Sequence, residues 1–407
     1  MATAVKTFEY SVRDRKGKLV KGTLEAQNET ALVQKLKGMG YAPVSVRETG
    51  GGMQREISLP GSNRITLKDL AIMSRQFATM VNSGLSLLRS LSILADQTEN
   101  KALAKVLDEV RQNLEGGQSL SSSLAKHPRA FPPIMVNMIR AGETGGFLDK
   151  VLLQIAENFE AEVRLRGKVK SAMTYPVVVF TIALLSVAGM LLFIVPIFAN
   201  MFDSLGATLP APTRALVFLS SAMKIGAIPM VVLLVALFVV WGRVKHRQDV
   251  RDVVDPLKLK LPIFGDLFRK ITISRLTRNL GTMLAAGVPI LQSLDIVAET
   301  SGNAVVGKAI RAVQDSVRQG EALAKPLTDH PVFPPMVVQM MAVGEDTGAL
   351  DQMLTKISDF YDQEVEATTE ALTALIEPLM IAFLGGIVGS MIVALYMPIF
   401  KVFDLIK

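Results

Sequence analysis

The sequence contains no cysteine, only three histidines and a single tryptophan among its 407 residues. Without cysteine the chain can form no disulfide, no thiolate metal site and no cysteine nucleophile. Aromatic residues make up 6% and charged residues 20% of the chain, whereas hydrophobic residues make up 50%. This balance excludes a disordered or low-complexity protein and indicates a membrane protein.

The three histidines do not form a recognisable site. His127, His246 and His330 are far apart, and no HExxH motif or close histidine cluster is present. A catalytic or metal role needs convergent partners. We therefore expect turn or cap roles for the histidines, and the sequence predicts no metal, no cofactor and no catalytic residue.

Positive charge is in modest excess, with 44 Lys and Arg against 37 Asp and Glu, a formal net charge of +7. Such an excess is typical of proteins that bind nucleic acid or an anionic membrane surface. The densest basic stretch, residues 243–278, directly follows a hydrophobic segment and lacks a recognisable nucleic-acid-binding module. We expect it to contact anionic lipid or an acidic partner, and we expect no nucleic acid.

Three segments are long and apolar enough to cross a bilayer, which takes about 20 residues. Residues 177–199, 225–241 and 378–400 contain no charged residue. They predict transmembrane helices at residues 174–200, 215–242 and 375–400. The first is approached through basic residues and the third through acidic ones, among them Glu364, Glu366 and Glu370.

Basic residues near the ends of the first two spans predict their orientation. Arg164, Arg166, Lys168 and Lys170 precede the first span, and further basic residues follow the second. The hydrophilic parts should therefore be cytoplasmic and the C-terminus extracytoplasmic. No apolar segment follows Met1, so we expect no cleaved signal peptide.

An internal repeat organises most of the chain. Residues 131–149 match residues 333–351 without a gap, with ten of 19 positions identical. The match extends backwards to the glycine-led turns at Gly84 and Gly287 and forwards to Tyr175-Pro176 and Glu377-Pro378. Each copy thus comprises a hydrophilic domain that ends in one span.

Helical spacing of apolar residues predicts that each copy is a helical bundle. Thr66 with Asp69 is a candidate capping box at the start of the first bundle. Alternating residues near the N-terminus, a helical segment at residues 29–37 and an extended segment at residues 42–46 predict a ββαβ unit.

The fold class is accordingly a mainly α, polytopic membrane protein with two repeated cytoplasmic bundles, three transmembrane helices and a small N-terminal ββαβ domain. The predicted segments follow in chain order: an N-terminal α+β domain at 1–48, a linker at 49–63, the first bundle at 64–173, a span at 174–200, an extracytoplasmic loop at 201–214, a span at 215–242, the second bundle at 243–374, a span at 375–400 and an extracytoplasmic tail at 401–407.

One motif suggests nucleotide binding. Gly302, Gly307 and Lys308 spell GxxxxGK, the first part of a phosphate-binding loop. Ala309 follows where Mg²⁺ coordination requires Ser or Thr, and the preceding residues predict a helix rather than a strand. We therefore interpret the motif as a connection between helices.

Four acidic residues recur at equivalent positions beside glycine turns: Glu143, Asp149, Glu345 and Asp351. They could cap helices or complete turns, contact a partner, or bind a hard cation. The sequence leaves these alternatives open.

The third span carries two further candidates. Glu377 and Pro378 lie at its cytoplasmic mouth, where an ionisable group is a functional candidate, although water or lipid headgroups could equally satisfy it. Gly385 and Gly389, with neighbouring small residues, form faces that let helices approach closely. The neighbouring helix could be another span or another subunit.

The repeated motifs resemble those of the PilC/GspF family, the polytopic platform proteins of type IV pilus and type II secretion machines. The resemblance covers nearly the whole chain and is carried by the FPP segments at Phe131 and Phe333, the Gly-Glu turns at Glu143 and Glu345, the Leu-Asp pairs, Tyr175-Pro176, Glu377-Pro378 and the terminal Pro398-Ile399-Phe400.

This resemblance implies a non-enzymatic inner-membrane protein whose cytoplasmic bundles engage a hexameric assembly ATPase while its membrane part handles pilins. Further partners implied are a retraction ATPase, inner-membrane alignment proteins, membrane lipids and the chain itself, with a homodimer favoured. The pilus branch is favoured over the secretion branch. A secondary transporter and an unrelated membrane-tethered scaffold are the alternatives from other classes.

Overall fold

The computed structural model describes residues 6–13, 19–26, 32–33, 36, 38, 42–48, 64–204, 209–244, 247–262 and 264–405. These residues divide between two compact units, Met1–Arg64 and Ile65–Lys407.

The N-terminal unit contains an antiparallel sheet in which β1 lies between β2 and β3. The strands are β1 (Lys6–Arg13), β2 (Leu19–Ala26) and β3 (Ala42–Glu48). The β1–β3 register shifts between Ser11 and Val12. Leu32 and Leu36, within the predicted helix, are helical and buried. The rest of that helix lies mostly outside the described residues, as does the predicted linker at 49–63.

The first repeat folds into a helical bundle, as its periodicity predicts. Its helices are α1 (Leu67–Asn82), α2 (Leu87–Gln97), α3 (Lys101–Glu115), α4 (Leu120–Ala125), α5 (Pro133–Gly145) and α6 (Leu148–Gly189). Thr66 and Asp69 form the predicted capping box at the start of α1, since each side chain accepts a hydrogen bond from the other's backbone N–H. Gly84 ends this first helical segment with φ of 87°, a conformation that favours glycine.

Helix α6 continues into the membrane-type segment without interruption. A π-helical turn at Met190–Ile194 joins it to α7 (Val195–Ser204). Helix α8 (Ala211–Val244) follows. Helix α7 thus includes the first residues, and α8 the last residues, of the predicted loop at 201–214. Pro212 in the first turn of α8 suits a helix start, because proline lacks only an N–H that is free there anyway.

The second repeat has the same order of helices, preceded by one additional helix. They are α9 (Gln248–Lys260), α10 (Phe264–Ala285), α11 (Ile290–Thr300), α12 (Ala304–Arg318), α13 (Ala324–Leu327), α14 (Pro335–Thr347) and α15 (Leu350–Leu405). Helix α9 precedes the repeated part, and α10 to α15 correspond to α1 to α6. Helix α15 includes residues 401–405, part of the predicted tail.

One hydrophobic core contains residues of both repeats. Phe77, Ile139 and Phe159 from the first repeat belong to the same buried cluster as Leu280 and Ile310 from the second. The two predicted bundles therefore pack against each other within one unit, which fixes the relative position of the long helices α6 and α15.

Two helices within the described residues are long and apolar enough to cross a membrane, namely Leu148–Asp203 and Leu350–Pro398. A third span is possible if Ala211–Ala227 and Pro229–Val244, which meet at 57°, form one bent span. Pro229 lies at the bend, where its missing N–H and its ring disfavour a straight helix. The prediction of three spans thus depends on this bent helix.

Candidate functional site

The long helices α6 and α15 lie side by side from the helical bundles into the membrane-type segments. Near the bundles, Leu165 of α6 shares a buried cluster with Val365 and Leu372 of α15. Farther along, Leu191 shares another cluster with Met391 and Leu395. Each repeat thus contributes one helix to a parallel pair that joins the bundles to the membrane.

One ion pair joins the two long helices just before the membrane-type segments, and a second joins α10 to α15. The Lys168 Nζ lies 2.5 Å from a Glu366 carboxylate oxygen, joining α6 to α15. Lys270 of α10 donates to Glu364 at 2.9 Å and to Thr368 at 2.8 Å. We call Lys168, Lys270, Glu364 and Glu366 the juxtamembrane ion-pair layer. In the Lys168–Glu366 pair, a basic residue before the first span meets an acidic residue before the third.

The environment of Lys270 favours its charged form. Burial opposes that charge, but hydrogen bonds to Glu364 and Asp266 outweigh it and raise the pKa of Lys270 above its ordinary value. Lys270 therefore carries its positive charge at neutral pH.

Each bundle also has an ion pair between its first and last helices. Arg75 of α1 binds Glu160 of α6 through two bonds of 2.6 and 2.7 Å. In the second repeat, Arg278 of α10 binds Asp362 of α15 at the equivalent positions. The hydrogen bond from Arg75 holds the pKa of Glu160 below its ordinary range. The recurrence ties both long helices to their bundles in the same way.

Polar side chains connect the two repeats. Asn158 of α6 donates to Asn279 and Thr282 of α10, each at 3.2 Å. Arg275 of α10 lies 3.0 Å from Glu162 of α6. Burial lowers the pKa of Arg275, and the nearby Glu162 carboxylate opposes this shift. These contacts were not predicted, because nothing in one sequence tells which polar residues of two distant helices meet.

The basic stretch at residues 243–278 pairs largely with carboxylates of this chain. Arg251 and Lys258 flank the buried Asp255 at 3.6 and 2.9 Å. Arg275 and Arg278 pair with acidic residues of the long helices, as described above. The acidic partner expected for this stretch is thus, for these residues, the chain itself.

The repeated glutamates cap the short helices α4 and α13. Glu143 accepts hydrogen bonds from the Leu120 and Ser121 N–H groups at 2.5 and 3.0 Å. Glu345 accepts bonds from Leu323 and Ala324 at 2.7 and 3.2 Å. A carboxylate at a helix N-terminus satisfies free N–H groups and interacts favourably with the helix dipole. The sequence left capping, partner contact and cation binding open for these glutamates. The hydrogen bonds of both glutamates to backbone N–H groups fit the capping role.

The repeated aspartates lie in the first turns of the long helices. Asp149 is in the first turn of α6 and Asp351 in that of α15. Negative charge is favourable there. Among the described residues no group of three or more histidine, cysteine or acidic residues could hold a metal ion. The aspartates and glutamates thus do not converge on one cation site in the described part of the chain.

The residues predicted at the membrane mouth meet across the helix pair. Tyr175 and Pro176 of α6 and Glu377 of α15 line one cleft of about 40 Å³, together with apolar side chains of both helices. Pro378 follows within α15. Tyr175 and Glu377 are equivalent positions near the start of the two membrane-type segments. The cleft therefore lies where α6 and α15 begin these segments.

The glycines of the third span face open space within this chain. A Cβ atom built at Gly385 or Gly389 would meet no described atom within 4 Å, apart from the helix's own nearby backbone. The small-residue faces predicted from the sequence are therefore not used for packing between the described helices of one chain.

Hydroxyl groups of α8 bind the other two spans. Ser220 donates to the Leu191 carbonyl in the π-helical turn at 2.6 Å, and Thr213 donates to the Ala394 carbonyl of α15 at 2.5 Å. A π-helical turn disturbs the regular ladder of hydrogen bonds, so a carbonyl there accepts an outside donor. The first half of α8 is thus fixed against both long helices.

The GxxxxGK segment is a helix connection, as interpreted from the sequence. The Ala304 N–H donates to Asp255, while the Val305 and Val306 N–H groups donate to the Asn303 side chain. Lys308 pairs with Asp252 at 3.0 Å. The backbone groups that would bind a phosphate are therefore occupied by side chains of this chain.

Family models match most of the chain. The model described as type II secretion system (T2SS), protein F matches residues 73–196 and 276–398. A model described as type II secretion system protein F, N-terminal domain, matches residues 1–47. The double match coincides with the two repeats and confirms the duplication predicted from the sequence.

Several curated proteins are similar over almost the full length. Type IV pilus assembly protein PilC of Thermus thermophilus is 45% identical over 97% of this chain and 98% of its own length. Type IV pilus assembly protein PilC of Myxococcus xanthus is 40% identical, covering 98% of this chain and 95% of its own length. Type II secretion system protein F of Vibrio cholerae is 32% identical, covering 98% of this chain and 99% of its own length.

Proposed function

The chain belongs to the type II secretion system protein F family, and from this membership we propose that it is the inner-membrane platform protein of a type IV pilus assembly machine. In this function it couples a hexameric cytoplasmic assembly ATPase to the polymerisation of pilins. Similarity over nearly full length to proteins named for pilus assembly supports the pilus branch.

The proposed topology has three crossings of the inner membrane. The N-terminus and both repeats lie in the cytoplasm, and the C-terminus is extracytoplasmic. Basic residues beside the first two spans support this orientation, and the bent α8 serves as the return crossing between the repeats. The small ββαβ domain precedes the first repeat on the cytoplasmic side.

The parallel pair of long helices is the observation on which the coupling function rests. Leu148–Asp203 and Leu350–Pro398 span 56 and 49 residues, or about 84 and 74 Å at the rise of an α-helix. Each begins in a bundle, where an Arg–carboxylate pair fixes it, and the ion-pair layer joins the two. A displacement of either bundle is therefore passed along a stiff helix to the membrane segment.

The energy for this movement comes from the ATPase partner and not from the chain. The occupied backbone groups at Ala304 and Val305 support this assignment. Further proposed partners are a retraction ATPase, inner-membrane alignment proteins, membrane lipids and a second copy of the chain. We retain Glu143, Asp149, Glu345 and Asp351 as proposed contact residues for partners.

The equivalent platform of a type II secretion system is the second candidate function. It is supported by the similarity to the secretion protein of Vibrio cholerae over almost the whole chain. The two functions share the same coupling by the long helices and differ in the filament that is assembled.

Deletion of the gene, followed by complementation, tests the proposal. A deletion strain should lack surface pili and twitching motility while it still secretes its extracellular enzymes, and the intact gene should restore pili. Loss of secretion with normal piliation would assign the protein to the secretion branch. Normal pili together with normal secretion would contradict both functions.

A further inference from the structure

Besides the pairing of the equivalent long helices α6 and α15, the two repeats contact each other through unlike faces. Helices α5 and α6 of the first repeat pack on α10 and α11 of the second. Because α10 and α11 are equivalent to α1 and α2, and α5 and α6 to α14 and α15, the contact joins the last helices of one repeat to the first helices of the next. Among the residues that the structure describes, a contact of this kind leaves one face of each repeat without a partner.

The free face of the first repeat is formed by α1 and α2. Leu85 is 37% exposed, whereas the equivalent Val288 is 3% exposed. Ile72 and Leu88 are also exposed apolar residues on these helices. We call Ile72, Leu85 and Leu88 the leading face.

The free face of the second repeat is formed by α14 and α15. Phe360 is 41% exposed, whereas the equivalent Asn158 is 5% exposed and hydrogen-bonded to the second repeat. Val343 of α14 is exposed as well. We call Val343 and Phe360 the trailing face.

At two positions the free faces are more apolar than the contact inside the chain. Phe360 replaces Asn158, and Ile72 replaces Arg275, which pairs with Glu162. Exposed apolar residues grouped on one face mark interaction surfaces. A contact between the two faces would remove Phe360 and Ile72 from water, and this burial favours the contact.

We propose that the trailing face of one copy of this protein docks on the leading face of a second copy, so that the contact between copies repeats the contact between repeats. The contact is heterologous, because unlike faces meet. The long helices of both copies then run in the same direction, as α6 and α15 do within one chain. Docking therefore places all the spans in one membrane.

Cysteine cross-linking tests this arrangement, since the chain has no cysteine of its own. Gln76 and Phe360 are the equivalents of Asn279 and Asn158, whose amide groups are 3.2 Å apart. Full-length Gln76→Cys and Phe360→Cys proteins, each with its own tag, are produced in the same membranes and treated with a short bifunctional thiol cross-linker, because Cβ atoms that carry hydrogen-bonded amides need not lie within the roughly 4 Å of a disulfide. We expect a cross-linked dimer that carries both tags, and no dimer from either variant alone.

Two pairs of variants calibrate the experiment. Asn158→Cys with Asn279→Cys in one chain should be cross-linked internally by the same reagent. Lys105→Cys lies on α3, away from both faces, with a side chain that is 80% exposed; with Phe360→Cys it should give no mixed dimer. A homodimer of Gln76→Cys alone would contradict the proposal, because like faces would then meet.

Absence of the mixed dimer would also overturn it. In that case the reaction of each thiol with a bulky maleimide tells whether its face is covered. Fast labelling would show that the face is exposed to solvent, and slow labelling would show that something else covers it, such as the N-terminal unit.

An independent measurement compares the molecular mass of Phe360→Asp and Val253→Asp in native nanodiscs. Phe360→Asp should reduce the oligomer to the monomer mass, whereas Val253→Asp, an exposed residue outside both faces, should not. An oligomer that persists in Phe360→Asp, or a monomeric wild type, would contradict the proposal.

Discussion

Arg75 and Glu160 are joined by two hydrogen bonds of 2.6 and 2.7 Å, although 85 positions separate them in the sequence. The pair fixes the first helix of the bundle to the long helix α6. Since Arg278 and Asp362 form the equivalent pair in the second repeat, the same connection between bundle and membrane helix occurs twice.

Replacing Arg75 with Lys should lower the free energy of unfolding by about 1 kcal/mol or less, because lysine cannot form both bonds and the pair is partly exposed. The midpoint of thermal unfolding in detergent measures the effect. Arg318→Ala, which removes an exposed pair with Asp315, is the control and should change nothing. A loss no larger than in this control would contradict the structural role of Arg75.

The same pair predicts a dependence on pH. Arg75 lowers the pKa of Glu160 from its ordinary value of 4.5, so the pair contributes fully above that pH and its contribution is lost as the pH falls through the lowered pKa. The difference in stability between wild type and Glu160→Gln should therefore be constant near neutral pH and shrink in acid. A difference that grows in acid would contradict this sign.

The glutamate caps should be equally sensitive in the two repeats. A Gln side chain has only one amide oxygen to accept hydrogen bonds from the two N–H groups. Glu143→Gln and Glu345→Gln should therefore each lower the free energy of unfolding by about 1 kcal/mol. Glu345→Lys should cost more, because a positive charge at a helix N-terminus is unfavourable. Thermal unfolding checks these values, with the exposed Asp346→Asn as control. Unchanged stability in both glutamine variants would show that the caps contribute little.

The caps also show what a single sequence can and cannot predict. The capping box of Thr66 and Asp69 was predictable, because its two residues lie within one helical turn. The Glu143 cap was only one of several open roles, because its partner Leu120 lies 23 positions away and the path of the chain between them is set by packing.

The internal repeat carried the prediction further than local patterns did. The repeat predicted the two bundles, the turn glycines and the equivalent spans, because similar sequences fold into similar structures. Extending it to Arg75 and Arg278 would have exposed the recurring ion pairs. The contact of Asn158 with Asn279 could not be found in this way, because it joins unlike positions of the two repeats.

Ser220 should stabilise the membrane part. Ser220→Ala removes the donor to the Leu191 carbonyl and should cost about 1 kcal/mol, a usual size for hydrogen bonds between membrane helices. Ser221→Ala is the matched control, because its hydroxyl binds the Phe218 carbonyl of its own helix. Thermal unfolding in detergent should separate the two variants, and equal midpoints would contradict the role of Ser220.

Lys308 should have no part in nucleotide chemistry. The purified full-length chain should not turn over ATP, and Lys308→Ala should leave that result and the unfolding midpoint nearly unchanged, since its pair with Asp252 is exposed. ATP turnover that disappears in Lys308→Ala would contradict the account and restore a nucleotide site.

Reversing charges in the juxtamembrane ion-pair layer tests the coupling by the long helices most directly. Lys168→Glu and Glu366→Lys each place like charges where the wild type has an ion pair at 2.5 Å, whereas the double variant restores opposite charges. Surface pili are counted in strains with equal amounts of each protein in the membrane. We predict that each single variant loses pili and that the double variant regains them; normal piliation in the single variants, or no recovery in the double variant, would contradict the account.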